Sequence, residues 1–240
     1  MDVSETASPG GFFTLRTQAP VTTGAVPLAR VYAGDTGPLW ARIEEVAARL
    51  NSVETRVAAS IAFLGLASRL WSIALAPTVL RGWTPDLSPE RLHWDPARTA
   101  PDDLWLPEPR PLPVAAEPAE RIRDVVHGRH LVPLIAATRQ VAPVSERLLW
   151  GNAASALGGA LGQLYRWCHQ HGQRSAAGQA QRITSALLAH PDLRTTGTLT
   201  GTRFRRHTCC LYYRVPGGGL CGDCVFTRAP RRRTPGPPSS

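Results

Sequence analysis

Apolar residues recur at helical spacing over the first third of the chain. From Pro38 they return every three or four positions through Leu50, and a longer apolar stripe covers residues 53–76. The pattern predicts two helices, the second of them ended by Pro77. Arg69 interrupts the second stripe at its centre, which favours a buried helix over a membrane span.

Helical periodicity returns in the second half of the chain. Further helices are predicted at residues 120–128, 133–140, 145–169 and 175–190. The third of these contains several glycines, including Gly151, Gly158 and Gly159. Each interior glycine costs about 1 kcal/mol relative to alanine, so we expect another helix to approach closely there.

Strand patterns are short and few. Nine prolines between positions 85 and 118 exclude long helices and central strands from that stretch. Short strands are expected near residues 12–15, 92–94 and 104–106 and within 195–208. The fold class is therefore mainly α with a minority of short β strands (α+β). We expect a single domain, in which a helical body (36–200) follows an irregular segment (1–35) and precedes a cysteine-rich segment (201–227) and a disordered basic tail (228–240).

Four of the five cysteines fall within sixteen residues near the C-terminal end. They form an adjacent pair, ten intervening residues and a C-x-x-C turn: Cys209, Cys210, Cys221 and Cys224. Such crowding is unlike the distributed framework of a disulfide-rich secreted domain and indicates a metal site. The fifth, Cys168, lies on the apolar stripe of a predicted helix and is expected to be an inert buried thiol.

The spacing leaves two kinds of metal centre open. Four thiolates hold either tetrahedral zinc or an iron-sulfur cluster. A structural zinc ribbon uses two C-x-x-C knuckles, whereas Cys209 and Cys210 are adjacent, and adjacent strand residues point to opposite faces. A two-iron cluster accepts ligands from two directions more easily, so the spacing favours iron-sulfur, with zinc as the alternative and a disulfide pair third. Gly222, inside the C-x-x-C turn, is expected to adopt a positive backbone angle.

The formal charge of +9 is concentrated beside these cysteines. Residues 201–240 hold eight arginines against one acidic residue. Arg205, Arg206 and Arg214 are close in sequence to the predicted ligands, where cations would favour the reduced, more negative state of a cluster or dock an anionic substrate. With zinc instead of iron, the same charge would suit a nucleic-acid-binding module.

Other chemistries lack their sequence signals. The chain has no recognisable phosphate loop, nucleophile elbow, or flavin or nicotinamide fingerprint. Its first residues carry acidic side chains where a secretory signal has basic ones, so a reducing, cytoplasmic setting is expected.

The segments Cys-Cys-Leu-Tyr-Tyr-Arg (209–214) and Cys-Gly-Asp-Cys (221–224) resemble the C-terminal 2Fe-2S motif of the FhuF-like ferric-siderophore reductases. Weaker similarity extends upstream through residues 68–72 and 150–155. The resemblance implies a cytoplasmic protein whose 2Fe-2S cluster is held by Cys209, Cys210, Cys221 and Cys224. It also implies one-electron reduction of siderophore-bound iron(III), followed by release of iron(II).

This resemblance sets the expected partners. The substrate would be a ferric siderophore, of hydroxamate type, and the electrons would come from a separate ferredoxin or flavin reductase. No nucleic acid and no membrane span are expected. A 2Fe-2S electron-transfer or redox-sensing protein without siderophore specificity is the alternative.

Overall fold

A long apolar helix, α3 (Thr55–Arg81), forms the centre of the protein. The computed structural model describes residues 9–18, 24–113 and 116–230. Within them α3 packs against α6 and α2, and its buried side chains include Phe63, Leu70 and Trp71. The helices are α1 (Leu28–Tyr32), α2 (Gly37–Arg49), α3, α4 (Pro118–Ile122), α5 (Val132–Val141), α6 (Glu146–Gln170), α7 (Arg174–Leu188) and α8 (Pro191–Arg194).

The composition of α3 would allow it to cross a membrane, but its packing is that of a core helix. An 18-residue window has a mean hydropathy of 1.6, and 78% of that window is buried inside the protein. Arg69 is buried in the middle and pairs with Asp103 at 2.8 Å. Its guanidinium also donates to backbone carbonyls of the N-terminal segment, at Gly11 and Thr14. These partners compensate the burial of the charge. The position of Arg69 had predicted a buried helix, and the structure confirms this.

Pro77 does not end α3, contrary to the prediction. The helix continues to Arg81 and stops at Gly82, which adopts the left-handed conformation at φ 76°. Proline removes only one donor, and the following turn is held by burial of Val79 and by the Thr78 hydroxyl, which donates to the Ala74 carbonyl. Tertiary packing near the helix end therefore outweighs the local penalty.

The two helices predicted at 120–128 and 133–140 are one continuous helical segment. Between α4 and α5 the chain forms a nine-residue π helix, Arg123–Leu131. Pro133 lies where the π helix passes into α5, and it does not separate the two parts.

The N-terminal segment differs from the expected irregular stretch with one strand. Gly11–Phe13 forms a short 3-10 helix where a strand was predicted, and α1 lies within residues 24–35. Leu28 and Val31 of α1 are fully buried, so this segment contributes to the core. Most of the predicted basic tail, residues 231–240, lies outside the described residues.

The strands are short, as predicted. One antiparallel sheet has the order β1 (Val26–Pro27), β2 (His93–Trp94) and β3 (Leu104–Trp105), with Trp94 paired to both Val26 and Leu104. The second is the hairpin of β4 (Gly197–Thr200) and β5 (Arg203–Arg206). The structure therefore confirms the mainly α fold class and its minority of short strands.

The hairpin occupies the space that the glycines of α6 leave open. A Cβ at Gly158 would lie 2.4 Å from the Cβ of Phe204, and one at Gly151 would lie 1.8 Å from Oγ1 of Thr208. The close neighbour at these two glycines is thus the strand segment that leads to the cysteines, where another helix was predicted. This contact fixes the cysteine-rich segment against the helical body.

Candidate metal centre

The four clustered cysteines lie in a folded loop that begins where β5 ends. Cys210 is buried, and the other three are partly exposed. Leu211 follows the adjacent pair in the left-handed conformation, at φ 68°, and a short 3-10 helix continues from Tyr212 to Arg214. The chain therefore leaves extended geometry directly after the adjacent cysteine pair.

The second half of the loop returns the C-x-x-C turn to the first pair. Gly217 turns at φ 69°, and Gly218 lies so close to the preceding turn that a Cβ would stand 2.7 Å from the Tyr212 carbonyl oxygen. The N–H of Cys224 donates to the carbonyl of Cys221 at 3.2 Å, closing the turn.

This fold brings one sulfur atom from each half of the cysteine motif into contact. The Sγ atoms of Cys210 and Cys221 are 3.5 Å apart. Cys209 interacts electrostatically with Cys221 and Cys224. All four are free thiols, and 3.5 Å is well beyond the disulfide bond length of about 2.05 Å. The remaining thiol, Cys168, is buried on α6, as predicted, and burial raises its pKa.

Backbone amides donate to the sulfur atoms. The N–H of Leu211 points at Sγ of Cys209 at 3.3 Å, and the N–H of Phe226 points at Sγ of Cys224 at 3.4 Å. A backbone hydrogen bond from Tyr212 also lowers the pKa of Cys210. Amide donors of this kind stabilise negative charge on sulfur and set the potential of iron-sulfur clusters.

The thiols influence one another's protonation. The side-chain hydrogen bond between Cys210 and Cys221 lowers the pKa of Cys210 to about 7, and the same interaction raises the pKa of Cys221. Burial raises the pKa of Cys209 and Cys224. The protonation of Cys210 and Cys221 is therefore coupled, and a bound metal would favour the thiolate form of its cysteine ligands.

Arg206 is the charged group buried beside the thiols. Its side chain is 1% exposed and acts electrostatically on Cys209, Cys210 and Cys221. One terminal nitrogen donates to Oδ1 of Asn152. Nε and Nη1 are buried without a hydrogen-bond partner within the described residues. Buried donors without acceptors are costly, so a negatively charged group between the thiols would complete the environment of Arg206.

Sequence reasoning missed the polar chain that anchors the loop to the core. The Ser60 hydroxyl donates to the Cys210 carbonyl at 2.8 Å, and Nδ2 of Asn152 donates to the Ser60 carbonyl and hydroxyl, each at 2.9 Å. Asn152 in turn accepts from Arg206. The available signal was a polar Asn on a helix otherwise rich in alanine, glycine and leucine.

The other predicted residues have separate roles. Arg214 pairs with Glu54 at 2.7 Å, which ties the loop to the start of α3. Arg205 is exposed and contacts the Val225 carbonyl at 3.5 Å. Gly222 does not have a positive φ, and a Cβ there would meet nothing within 4 Å. The predicted backbone role of Gly222 was therefore wrong, and Leu211 and Gly217 supply the positive angles instead.

The donor set fits an iron-sulfur cluster. Thiols from the two halves of the motif approach each other, amides donate to sulfur, and a buried guanidinium lacks acceptors among the residues that the structure describes, as expected around an anionic centre of 2Fe-2S type.

Comparison with known protein families agrees with this chemistry. Residues 206–226 match the FhuF 2Fe-2S C-terminal domain, which identifies the cofactor as a 2Fe-2S cluster in place of the zinc alternative. Residues 82–210 match the family described as ferric iron reductase FhuF-like transporter. No curated protein matches the chain significantly. Since the second family match alone covers more than half of its length, the chain belongs to the FhuF-like ferric iron reductase family.

Proposed function

We propose that the protein is a cytoplasmic ferric-siderophore reductase whose 2Fe-2S cluster is ligated by Cys209, Cys210, Cys221 and Cys224. The observation that supports the proposal is the contact between Cys210 and Cys221, one from each half of the motif, beside Arg206 donors that have no hydrogen-bond partner in the described part of the chain. Membership of the family supplies the reductase chemistry.

The reaction requires one electron and no acid or base from the protein. When bound, the cluster accepts and gives up single electrons. Iron(III) in a hydroxamate siderophore would gain one electron from the cluster that the four cysteines would hold, and would become iron(II). Hard oxygen ligands hold iron(II) far less tightly than iron(III), so the metal exchanges out of the complex and the freed hydroxamate oxygens take up protons from water.

The chain's own residues favour this transfer in two ways. Arg206 and the amides of Leu211 and Phe226 stabilise the negative charge that accumulates on the sulfur side chains. Cys209, Cys221 and Cys224 are partly exposed, so the cluster site has an edge that a bulky chelate can approach. Exposed Arg205 lies near this edge and would attract an anionic complex.

The electron donor is proposed to be a separate protein, either a ferredoxin or a flavin reductase. The sequence carries no recognisable nucleotide-binding fingerprint. The burial of α3 is consistent with action in the cytoplasm, where released iron(II) would be available.

Anaerobically purified protein tests the proposal. We expect two iron and two sulfide per chain and an electron paramagnetic resonance signal after one-electron reduction. The reduced protein, mixed with a ferric hydroxamate and an iron(II) trap, should yield one iron(II) per cluster in a single turnover. Colourless protein with stoichiometric zinc contradicts the cluster. Equal reactivity with ferricyanide but none with ferric hydroxamates supports the electron-transfer or sensor alternative instead.

Cysteine variants test the ligand assignment. Replacing any of the four clustered cysteines by serine should abolish or severely reduce cluster content, because a thiolate ligand is lost. Cys168→Ser is the matched control and should retain full iron and sulfide. A cluster that survives in Cys210→Ser would show that another group completes the ligand set.

A further inference from the structure

A second group of side chains, of the types that ligate metal ions, lies outside the cysteine loop. His127 comes from the π helix, and His190 and Asp192 come from the turn that enters α8. Their ligand atoms lie within 4.8 Å of one another. Nε2 of His127 is 2.9 Å from Oδ2 of Asp192, and Nδ1 of His190 is 3.6 Å from the same oxygen.

The distances suit coordination of a single ion. With metal–ligand bonds of about 2.1 Å, neighbouring ligand atoms of an octahedral or tetrahedral ion stand about 3.0–3.4 Å apart. The two measured separations bracket this range, and the ligand nitrogens of the two histidines lie within 4.8 Å of each other. Nδ1 of His190 also accepts a 3.4 Å contact from the N–H of Asp192.

One residue of the group is buried against aromatic rings, and the other two are partly exposed to solvent. The His127 ring stacks on Trp150 at a centroid distance of 4.9 Å and contacts the His190 ring at 4.2 Å. The side chain of His127 is only 10% exposed, whereas those of His190 and Asp192 are 26% and 39% exposed. An ion could therefore enter from solvent and meet a fixed imidazole.

The backbone at His127 is unusual as well. π helices account for well under 1% of residues and occur frequently at functional sites. Here nine residues adopt this geometry with His127 at the centre.

The histidine group also lies near the cysteine loop. Trp150 precedes Gly151, against which Thr208 packs beside the cysteine pair. The histidine group and the cysteine loop thus contact the same turn of α6.

We propose that His127, His190 and Asp192 bind a divalent first-row metal ion, and that this ion is the iron(II) that the protein releases. Two imidazoles and one carboxylate, with open positions for water, form a ligand set that accepts iron(II). The identity of the ion rests on the proposed reductase function. The site would hold the product before it passes to other iron-binding molecules.

Anaerobic equilibrium dialysis of the cluster-loaded, oxidised protein against iron(II) tests the proposal. We expect one iron per chain beyond the two of the cluster. His190→Ala and Asp192→Asn should each weaken this binding at least about tenfold, since even residues that only support metal ligands contribute 10–100-fold. His169→Ala replaces an exposed histidine that contacts the Tyr165 ring of the same helix; this control should bind as the wild type does.

The outcomes separate this proposal from the reductase function. No additional iron(II), or equal binding in all variants, overturns the site, and binding of zinc(II) without iron(II) overturns the assignment of the ion. Thermal unfolding of each variant checks that the fold persists. Because dialysis involves no siderophore, a failure here leaves the single-turnover result untouched, and failure of siderophore reduction leaves the binding result standing.

Discussion

Arg206 shows how one buried side chain connects the cysteine loop to the core. Its backbone N–H donates to the Asp223 carbonyl at 3.0 Å. Its guanidinium donates to Asn152, and its other two nitrogens have no hydrogen-bond partner in the part of the chain that the structure describes. Arg206 therefore holds the cysteine loop in position and places a positive charge beside the thiols.

Replacing Arg206 by glutamine should lower the reduction potential of the cluster. The guanidinium stabilises the reduced, more negative state, so its removal favours the oxidised one. If the substitution destabilises the reduced state relative to the oxidised state by about 1.4 kcal/mol, the reduction potential falls by about 59 mV for a one-electron couple. Potentiometric titration followed by electron paramagnetic resonance measures the shift.

Arg205→Gln is the matched control for this experiment. Arg205 is the neighbour on the exposed face of β5, so solvent screens its charge and the potential should change much less. Equal shifts in the two variants would contradict a specific role for the buried guanidinium.

For individual residues, the sequence predicted the metal-binding chemistry of the cysteines but not the side-chain contacts around them. The density and spacing of the cysteines indicated a metal site. Ser60, Asn152 and Arg206 are far apart in the chain, and only the fold brings them into one hydrogen-bonded series. The same holds for His127 and Asp192, which are 65 positions apart.

Among the elements, α6 and the β4–β5 hairpin form the contact on which the site depends. Phe204 of β5 sits over Gly158 and also against Gly197, where a Cβ would lie 2.2 Å from its ring. The neighbouring Gly159 has nothing within 4 Å of a Cβ position. Of these two adjacent glycines on α6, Gly158 is therefore closely packed and Gly159 has open space around its Cβ position.

Gly158→Ala and Gly159→Ala should shift stability in opposite directions. Alanine at 158 overpacks against Phe204, which we expect to cost about 1–3 kcal/mol. Alanine at 159 has room and improves helix propensity, which we expect to stabilise the protein by up to about 1 kcal/mol. Urea unfolding of the cluster-loaded proteins compares them. Destabilisation by Gly159→Ala equal to that by Gly158→Ala would contradict the packing argument.

Element boundaries were less predictable than element types. Periodicity located α2, α3, α6 and α7, because their apolar stripes are long. It did not anticipate that α3 continues past Pro77 or that a π helix joins α4 to α5, since both depend on packing that no local window contains.

For the molecule as a whole, the buried His130 makes folding sensitive to acid. Nδ1 faces the Tyr32 hydroxyl at 2.9 Å and Nε2 faces the Leu87 carbonyl at 2.6 Å. Burial lowers the pKa of His130 from 6.5 to about 4. The neutral ring fits this arrangement by donating to the carbonyl and accepting from the hydroxyl.

Stability should therefore fall as the pH drops from about 6.5 towards 4. In that window the unfolded chain binds a proton at His130 that the folded chain does not, which favours unfolding. Between pH 7 and pH 5 this one group accounts for about 2 kcal/mol. Urea unfolding at the two pH values measures the loss. His130→Gln should be less stable at pH 7 but show a smaller loss on acidification.

The exposed His169 again provides a control. His169→Gln should retain the wild-type difference between the two pH values. An unchanged difference in His130→Gln would assign the acid sensitivity to other groups.

The order of the anchor and the ligands along the chain has a consequence for biosynthesis. Ser60 and Asn152 precede every clustered cysteine, so the ribosome completes α3 and α6 before the first ligand thiol is made. Segments made early fold first during translation. We therefore expect the helical body to have folded before iron and sulfide are delivered. Cluster insertion would then be a late step of maturation.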